Sequence, residues 1–150
     1  MKAGFALGTV MALMLAATSQ PVRADDPPAP AVDASKGTVI FFRPSKFIGA
    51  AMGFKVREGD VELGRLRNGK YFVIQVEPGT HAYTVHSEAK DVITLEVEAG
   101  ETYYVRGSIG VGILAGRPNL SPSTAAEFEA AKPKMKDATG EGIKGKDDKD

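Results

Sequence analysis

The side chains best suited to acid–base or metal chemistry are the two histidines of the chain, His81 and His86. They lie five positions apart in a segment, residues 80–87, whose apolar side chains alternate as in a β-strand. Because successive side chains of a strand point to opposite faces, this odd spacing places the two imidazoles on opposite sides of a sheet. A metal ion bound by both rings would need a bulge between them, so we predict no metal site.

The hydroxyl and carboxylate side chains form no recognisable catalytic arrangement. Nucleophilic catalysis needs a serine or cysteine beside a base, and the chain has no cysteine and no G-x-S-x-G turn. Glu96 and Glu98 share one strand face, which is typical of a hydrophilic outer surface. The glycines of Gly110–Gly116 lack the spacing and the strand–helix context of a dinucleotide loop. We therefore expect no enzymatic activity and no cofactor.

Basic residues offer a stronger candidate, a surface for binding rather than for catalysis. If faces are assigned by period-two alternation, several basic side chains and one tyrosine point outward. On neighbouring strands they would form a cationic patch suited to anionic glycans or lipid head groups; the alternative is an ordinary solvated sheet face. The loop sequence Arg43-Pro44-Ser45-Lys46 is either a structural turn or a second anion-facing group. The predicted binding surface consists of Arg43, Lys46, Lys55, Arg57, His86, Tyr104 and Arg106.

The first 24 residues predict export. Lys2 is followed by an uninterrupted apolar run, residues 5–17, and then by the polar and small residues that precede signal-peptide cleavage near Ala24. The alternative is an uncleaved anchor, because residues 3–20 are uncharged and fall just short of the roughly 20 that span a bilayer. Without a cysteine the chain offers no thiol for lipid attachment. We expect a periplasmic or secreted protein that is not a lipoprotein.

The charge balance argues against a nucleic-acid partner. The whole chain has 19 basic and 19 acidic residues, and removing residues 1–24 takes away Lys2 and Arg23 and no acid, which leaves a formal charge of −2. DNA-binding domains normally present a strongly basic face that a nearly neutral protein lacks. With no cysteine for disulfides, the fold depends on its apolar core.

After the signal, the chain divides into four segments. Residues 25–36 form a proline- and alanine-rich linker with too little apolar surface to order itself. Residues 37–120 contain short alternating runs separated by glycine turns, a pattern typical of an antiparallel β-sandwich of about seven to eight strands. Residues 121–131 are predicted to be a short helix that begins at a Ser121 cap and docks through Phe128. Residues 132–150 alternate charges and glycines and are predicted to be disordered.

Alternation also predicts which residues form the core. The first strand is apolar on both faces, so we expect it to be central in a sheet or covered by another element. Gly59-Asp60 and Asn68-Gly69 are predicted as tight hairpin turns. The predicted core comprises Val39, Phe41, Phe54, Val56, Leu63, Phe72, Ile74, Val76, Tyr83, Val85, Ile93, Leu95, Val97, Tyr103 and Val105.

Several strings in the strand region are moderately specific together. They are Phe41–Phe47 with Gly49, Leu63-Gly64, Asn68–Phe72, Val76–His81 and Gly100–Tyr104. On these residues the segment from about Lys36 to Leu120 resembles a bacterial family of small secreted domains of unknown function, and it is similar to the PEGA type of envelope β-sandwich. The resemblance implies export to the cell envelope and carries no catalytic residues. Family members are often lipoproteins, and the absence of cysteine here favours a soluble periplasmic form.

We therefore expect an exported, non-catalytic envelope module that binds a protein or a cell-wall or outer-membrane component. Strand-edge pairing and contact through a sheet face are the expected modes of binding. Membrane contact through Gly110–Gly116 is a further possibility. The alternative function is a small-ligand domain in which this segment covers a pocket at the end of the sandwich. The sequence predicts neither the identity of the partner nor the oligomeric state.

Overall fold

The structure is a computed structural model that describes residues 32–87, 89–111 and 116–141. The predicted signal peptide, most of the predicted linker and the last residues of the tail lie outside the described residues. Val32–Asp150 forms a compact unit by itself. This unit has its own apolar core. No helix in the described ranges is long and apolar enough to cross a lipid bilayer.

The described residues form two β-sheets and one short helix, which confirms the predicted all-β sandwich. Sheet A has five strands in the order β8-β7-β1-β4-β9, and sheet B has four in the order β3-β2-β5-β6. Neighbouring strands are antiparallel except for β1 with β7 and β4 with β9, which are parallel. The elements are β1 (Gly37–Arg43), β2 (Phe54–Glu58), β3 (Val61–Leu66), β4 (Lys70–Val76), β5 (Gly79–His86), β6 (Lys90–Val97), β7 (Thr102–Gly110), β8 (Arg117–Ser123), α1 (Ala125–Ala131), a 3-10 turn (Lys132–Lys134) and β9 (Lys136–Asp137).

The two predicted hairpin turns have different outcomes. Gly59, with a φ of 58°, and Asp60 join β2 to β3, which pair within sheet B. Asn68-Gly69 is also a tight turn, and Gly69 has a φ of 66°. However, it connects β3 in sheet B to β4 in sheet A, so the hairpin prediction is wrong there. A turn sequence specifies the local reversal of the chain but does not specify which sheet receives the next strand.

The core between the sheets contains every residue predicted from alternation, either buried or packed against the buried cluster. It also contains Leu66, which alternation from Leu63 places on the opposite face. The register explains this, because Val56 pairs with Gly64 whereas Arg57 pairs with Glu62, so Leu63 is an extra residue in a β-bulge. A bulge of this kind reverses the side-chain phase along the strand.

A second apolar cluster covers the outer face of sheet A. Phe42, on the central strand β1, packs with Phe128 of α1 and with Met135. The Phe42 and Phe128 rings lie 5.4 Å apart, edge to face. This cluster explains why the first strand is apolar on both faces, and Phe128 is the buried residue of the helix as predicted.

Two predictions for the C-terminal part of the chain are wrong: the helix start at Ser121 and, for residues 132–141, disorder. Ser121 lies in β8 instead of capping the helix, and the cap is Thr124, whose side chain accepts a hydrogen bond from the Glu127 N–H at 3.3 Å. After the helix, the described residues to 141 are ordered against β4, and the Ala138 N–H donates to the Tyr71 carbonyl at 2.8 Å. Composition predicts disorder there, but the unpaired edge of β4 supplies the hydrogen-bond partners.

Candidate functional site

The topology places four connections at one end of the sandwich: β1–β2, β3–β4, β5–β6 and β7–β8. The strand pairings bring the last residues of β1 and β7 beside the first residues of β4 and β8. Residues 44–53 and 67–69, together with the strand ends beside them, are called the loop end below. The turns at residues 59–60, 77–78 and 98–101 form the opposite end.

The longest described loop, residues 44–53, is held in place by Arg43. The Arg43 side chain is buried, and its two terminal nitrogens donate to the carbonyl oxygens of Met52 at 2.5 Å and Gly49 at 2.6 Å. Its guanidinium carbon lies 5.7 Å from the centre of the Phe54 ring. Burial lowers the pKa of Arg43, although an arginine remains charged throughout the physiological range. Arg43 therefore supports the loop from inside, and its predicted place on the binding surface is wrong.

Further contacts fix the other side of this loop. The backbone N–H of Lys46 donates to the Asn68 side-chain oxygen at 2.9 Å, and the Asn68 amide nitrogen donates to the Ser45 hydroxyl at 3.3 Å. Gly49 has a φ of 73°, a left-handed conformation that few residues other than glycine adopt without strain. Between these fixed points the large apolar side chains of Phe47 and Ile48 remain exposed.

The outer face of sheet B carries a groove lined by basic side chains, which we call the basic groove. Lys55 pairs with Arg65 across β2 and β3, and Arg57 pairs with Thr84 across β2 and β5. These four residues, with His86, line a space of about 350 Å³. Three of the predicted surface residues are therefore brought together here, as the alternation pattern indicates.

The charges in the basic groove are only partly neutralised. Lys55 Nζ lies 2.7 Å from Glu62 Oε2. Neither Arg57 nor Arg65 forms an ion pair with an acid in the described part of the chain. Because an exposed guanidinium presents several donors in a planar fork, these two residues suit carboxylate or phosphate groups of a ligand.

The basic character continues around the loop end. Arg65, Arg67 and Lys70 border a cleft of about 440 Å³ beside residues 50–53 of the β1–β2 loop. On the sheet A side, Lys46 and Arg106 line a smaller crevice next to Ile48. The sequence prediction did not include Arg67, because alternation assigns no face to a residue beyond the end of β3. It also missed Arg65, because the bulge in β3 changes which face of the sheet this residue occupies.

The predicted patch is therefore divided between the two sheets. Tyr104 and Arg106 belong to β7 in sheet A, whereas Lys55, Arg57 and His86 belong to sheet B. Tyr104 is partly buried beneath the helix, with its ring 5.6 Å from that of Phe128, so it is part of the second apolar cluster. A single-sequence pattern assigns faces within each strand but does not assign strands to sheets.

Charged residues at the opposite end are mostly acidic, and several of them make internal contacts. Lys36 Nζ lies 3.1 Å from Glu77 Oε1, and the Thr80 hydroxyl donates to Glu96 Oε1 at 2.8 Å. The acidic residues at or near this end are Asp33, Glu58, Asp60, Glu77, Glu96, Glu98 and Glu101.

His81 forms the best-connected polar contact at this end. Its Nδ1 lies 2.6 Å from Glu58 Oε1 and its Nε2 lies 2.7 Å from the Glu77 carbonyl oxygen. Burial of the ring disfavours its charged form, but these two acceptors outweigh burial, and the pKa of His81 is raised. Because both ring nitrogens face acceptors, the imidazolium fits this position best.

Tyr83 lies beside this pair. Its ring stacks on that of His81 with centroids 6.0 Å apart. The Tyr83 hydroxyl is buried and has no hydrogen-bond partner among the described residues. Burial, together with the nearby carboxylate of Glu58, raises the pKa of Tyr83. The hydroxyl is therefore held neutral inside the sandwich.

The two histidines lie on opposite faces of sheet B, as their spacing predicts. His81 points towards the core edge, where it contacts Glu58, and His86 is exposed in the basic groove. Within the described residues, no group of three or more histidine or acidic side chains is placed to hold a metal ion.

The glycine-rich segment after β7 is described only at its two ends. Gly110 ends the strand, Val111 is exposed, and residues 112–115 lie outside the described residues. Gly116 is buried against the loop end, where a Cβ atom would lie 3.1 Å from the sulfur of Met52. The prediction that this segment covers a pocket or contacts a membrane stays a prediction.

Comparison with known proteins identifies a family but no activity. A family model described as a protein of unknown function (DUF2846) matches residues 33–118, which is more than half of the chain. The match contains β1 to β7 and ends at the start of β8, so α1 and β9 lie beyond it. No curated protein matches the chain.

Proposed function

The chain belongs to the DUF2846 family of proteins of unknown function, and we propose that it is an exported, non-catalytic module that binds an anionic component of the cell envelope. The apolar run at residues 5–17 supports export. The absence of cysteine favours a soluble periplasmic form over a lipoprotein. The PEGA-like strings of the strand region favour placement with small secreted bacterial sandwiches.

The observation that carries this proposal is the one-sided distribution of charge. Basic residues surround the loop end, whereas acidic residues predominate at the opposite end. The basic side chains at the loop end are Lys46, Lys55, Arg65, Arg67, Lys70, His86, Lys90, Arg106 and Arg117, with Arg57 next to them in the basic groove. The fewer acids near this end include Asp91, Asp137 and Glu141, and Glu141 pairs with Lys70 at 2.6 Å. A domain with little net charge can still attract an anionic partner at one end when its charges are separated in this way.

In sheet A, contact through a face is better supported than strand-edge pairing, whereas β3 and β6 are edge strands of sheet B with no further strand beside them in the described residues. The β4 edge of sheet A is paired with β9 of the same chain. The β8 edge is partly occupied as well, because Asp91 Oδ2 accepts a hydrogen bond from the Leu120 N–H at 2.8 Å. These internal contacts reduce the backbone groups available to an added strand.

The small-ligand alternative receives less support from the geometry. The crevice between the β1–β2 loop and Gly116, lined in part by Met52 and Phe54, encloses about 80 Å³. Pockets that bind small organic molecules usually enclose roughly 300 Å³ or more. The two spaces that reach this size, of about 350 and 440 Å³, are bordered by basic side chains and not by Gly110 or Gly116. Catalysis also receives no support from His81, because both of its ring nitrogens are occupied by structural contacts.

A comparison of two double variants tests the proposal. The first, Arg57→Ala with Arg65→Ala, removes two positive charges from the basic groove. The second, Lys36→Ala with Lys132→Ala, also removes two positive charges, but from side chains that pair with Glu77 and Glu129. Binding is measured by co-sedimentation with anionic lipid vesicles and, separately, with an insoluble anionic cell-wall glycan. At about 1 kcal/mol per basic residue near an anionic surface, the groove variant should bind at least tenfold more weakly.

The control pair should bind within about twofold of the unaltered protein, because its side chains lie away from the basic groove. Equal losses in the two pairs would show that net charge alone drives binding. No binding of the unaltered protein to either anionic material would refute the proposal.

A further inference from the structure

The loop end exposes large apolar side chains that a folded domain would normally bury. Phe47 is 97% exposed, Val111 is 87% exposed and Ile48 is 71% exposed. Phe47 and Ile48 are consecutive and form the tip of the β1–β2 loop. Single exposed apolar residues are common. Three exposed apolar side chains close together at one end of a domain mark a surface that a membrane or another molecule covers.

The β1–β2 loop, which carries Phe47 and Ile48, packs against the end of β7, which leads to Val111. A Cβ atom at Gly49 would lie 3.4 Å from Ile109, which places the β1–β2 loop directly against the end of β7. Val111 follows two residues later. The bonds from Arg43 to the Met52 and Gly49 carbonyls hold the loop in shape. The backbone of the β1–β2 loop is therefore held as a built part of the fold, and it presents the side chains of the apolar tip to solvent.

The apolar tip is bordered by cations on both sides. Lys46 precedes Phe47 in sequence, and Arg106 lines the same crevice as Ile48. Arg65 and Arg67 stand on the other side of the loop, around the cleft next to residues 50–53. Basic side chains around an apolar tip match the two layers of an anionic membrane surface, with head groups outside and acyl chains beneath.

We propose that the loop end docks on an anionic lipid bilayer by inserting Phe47 and Ile48, with Val111 beside them, while the surrounding cations contact the head groups. The inference rests on the proposed function and names its ligand as the lipid surface. A soluble glycan would be held by the basic groove and would leave the apolar tip in water. The exposed apolar side chains of the tip are few, whereas the apolar centre of a protein–protein interface is usually broad.

The absence of tryptophan from the chain permits a direct test. Phe47→Trp places a fluorescent reporter in the tip, and Val61→Trp places one at the opposite end, where Val61 is 63% exposed. Both are made in the chain that begins after Ala24, since Val32–Asp150 forms a compact unit with its own core. Each protein is mixed with vesicles of equal parts phosphatidylglycerol and phosphatidylcholine, or of phosphatidylcholine alone.

The proposal predicts a blue shift of emission for the Phe47→Trp protein on the anionic vesicles only, and quenching of that emission by lipids brominated along their acyl chains. The Val61→Trp protein should show neither change. A second variant, Phe47→Ser with Ile48→Ser in the unlabelled protein, should sediment with anionic vesicles roughly tenfold or more weakly. Because both side chains are exposed, its circular dichroism spectrum should be unchanged.

Three results would overturn the inference, and they separate it from the proposed function. Sedimentation with anionic vesicles without a Phe47→Trp shift would show binding by charge alone, and the proposed function would survive. Binding to anionic glycan but not to vesicles would also overturn the inference and leave the proposed function standing. A blue shift that depends on protein concentration and not on lipid would show that a second copy of the chain covers the tip.

Discussion

At the opposite end of the sandwich His81 lies between Glu58 and Glu77, whereas in the basic groove Arg57 and Arg65 face solvent without an ion pair in the described residues. The charge of the His81 ring is balanced inside the domain, because both of its acceptors belong to the same domain. The two arginines leave donors available to a partner. Residue type alone therefore does not identify a binding site in this protein; the deciding property is whether the charge is already paired within the domain.

The loop end also contains a buried cation, Arg43, whose replacement gives the largest expected effect on stability. Replacing Arg43 by alanine removes both hydrogen bonds to the loop carbonyls and the packing against Phe54. Hydrogen bonds to charged groups contribute about 1.5–3 kcal/mol each, so we expect the free energy of unfolding to fall by about 3 kcal/mol. Urea unfolding followed by circular dichroism measures the change.

Arg67→Ala is the matched control for this experiment, because Arg67 is exposed at the same end. Its effect on the free energy of unfolding should stay within about 0.5 kcal/mol. Similar losses for the two variants would contradict the distinction between the buried arginine and the exposed ones.

A pH-dependent effect is expected at the opposite end. The raised pKa of His81 means that the folded state favours the charged ring, so its stabilisation is fully present below the unfolded value of about 6.5. The stabilisation is lost as the pH rises through the folded value. His81→Gln should therefore reduce stability more in mildly acidic than in alkaline solution, as measured by thermal unfolding across that range.

His86→Gln serves as the control for the pH experiment, because the exposed ring of His86 makes no hydrogen bond or ion pair within the described ranges. It should not reproduce the pH-dependent loss. If His81→Gln destabilised the protein equally at every pH, the contact between His81 and Glu58 would contribute through packing and not through charge.

The smallest expected effect concerns Tyr83, next to His81. Its hydroxyl is buried without a partner among the described residues, and an unsatisfied buried polar group costs about 1–3 kcal/mol. Tyr83→Phe keeps the stacked ring and removes the hydroxyl, so stability should rise by about 1 kcal/mol. A loss of stability in urea unfolding would show that the hydroxyl makes a favourable contact in solution.

Much of the fold could be predicted because alternation depends on local geometry. Every strand that contributes to the predicted core lies where its apolar residues indicate, and the two-faced first strand is central and covered by Phe128. Local patterns could not predict the bulge that turns both Leu63 and Leu66 inward. They also could not predict the order of residues 132–141, which depends on a distant strand edge.

The candidate site was predictable only in part, because alternation is local whereas the pairing of strands into sheets is long-range. Lys55, Arg57 and His86 come together because they alternate correctly on strands that share sheet B. Tyr104 and Arg106 do not join them, since the pairing of β7 with β1 is a long-range choice. Arg43 has the composition of a surface residue, and only the loop that folds over it shows that its charge is used inside the domain.

An amide NMR titration of the chain after Ala24 with small bicelles that contain phosphatidylglycerol shows most directly whether the loop end is the binding surface. We expect signals from residues 44–53, the basic groove and Arg67 to shift or broaden first, whereas signals from residues 58–60, 77–81 and 98–101 remain unchanged. Changes centred on the opposite end, or on the free edge of β3 or β6, would contradict the assignment of the loop end as the binding surface.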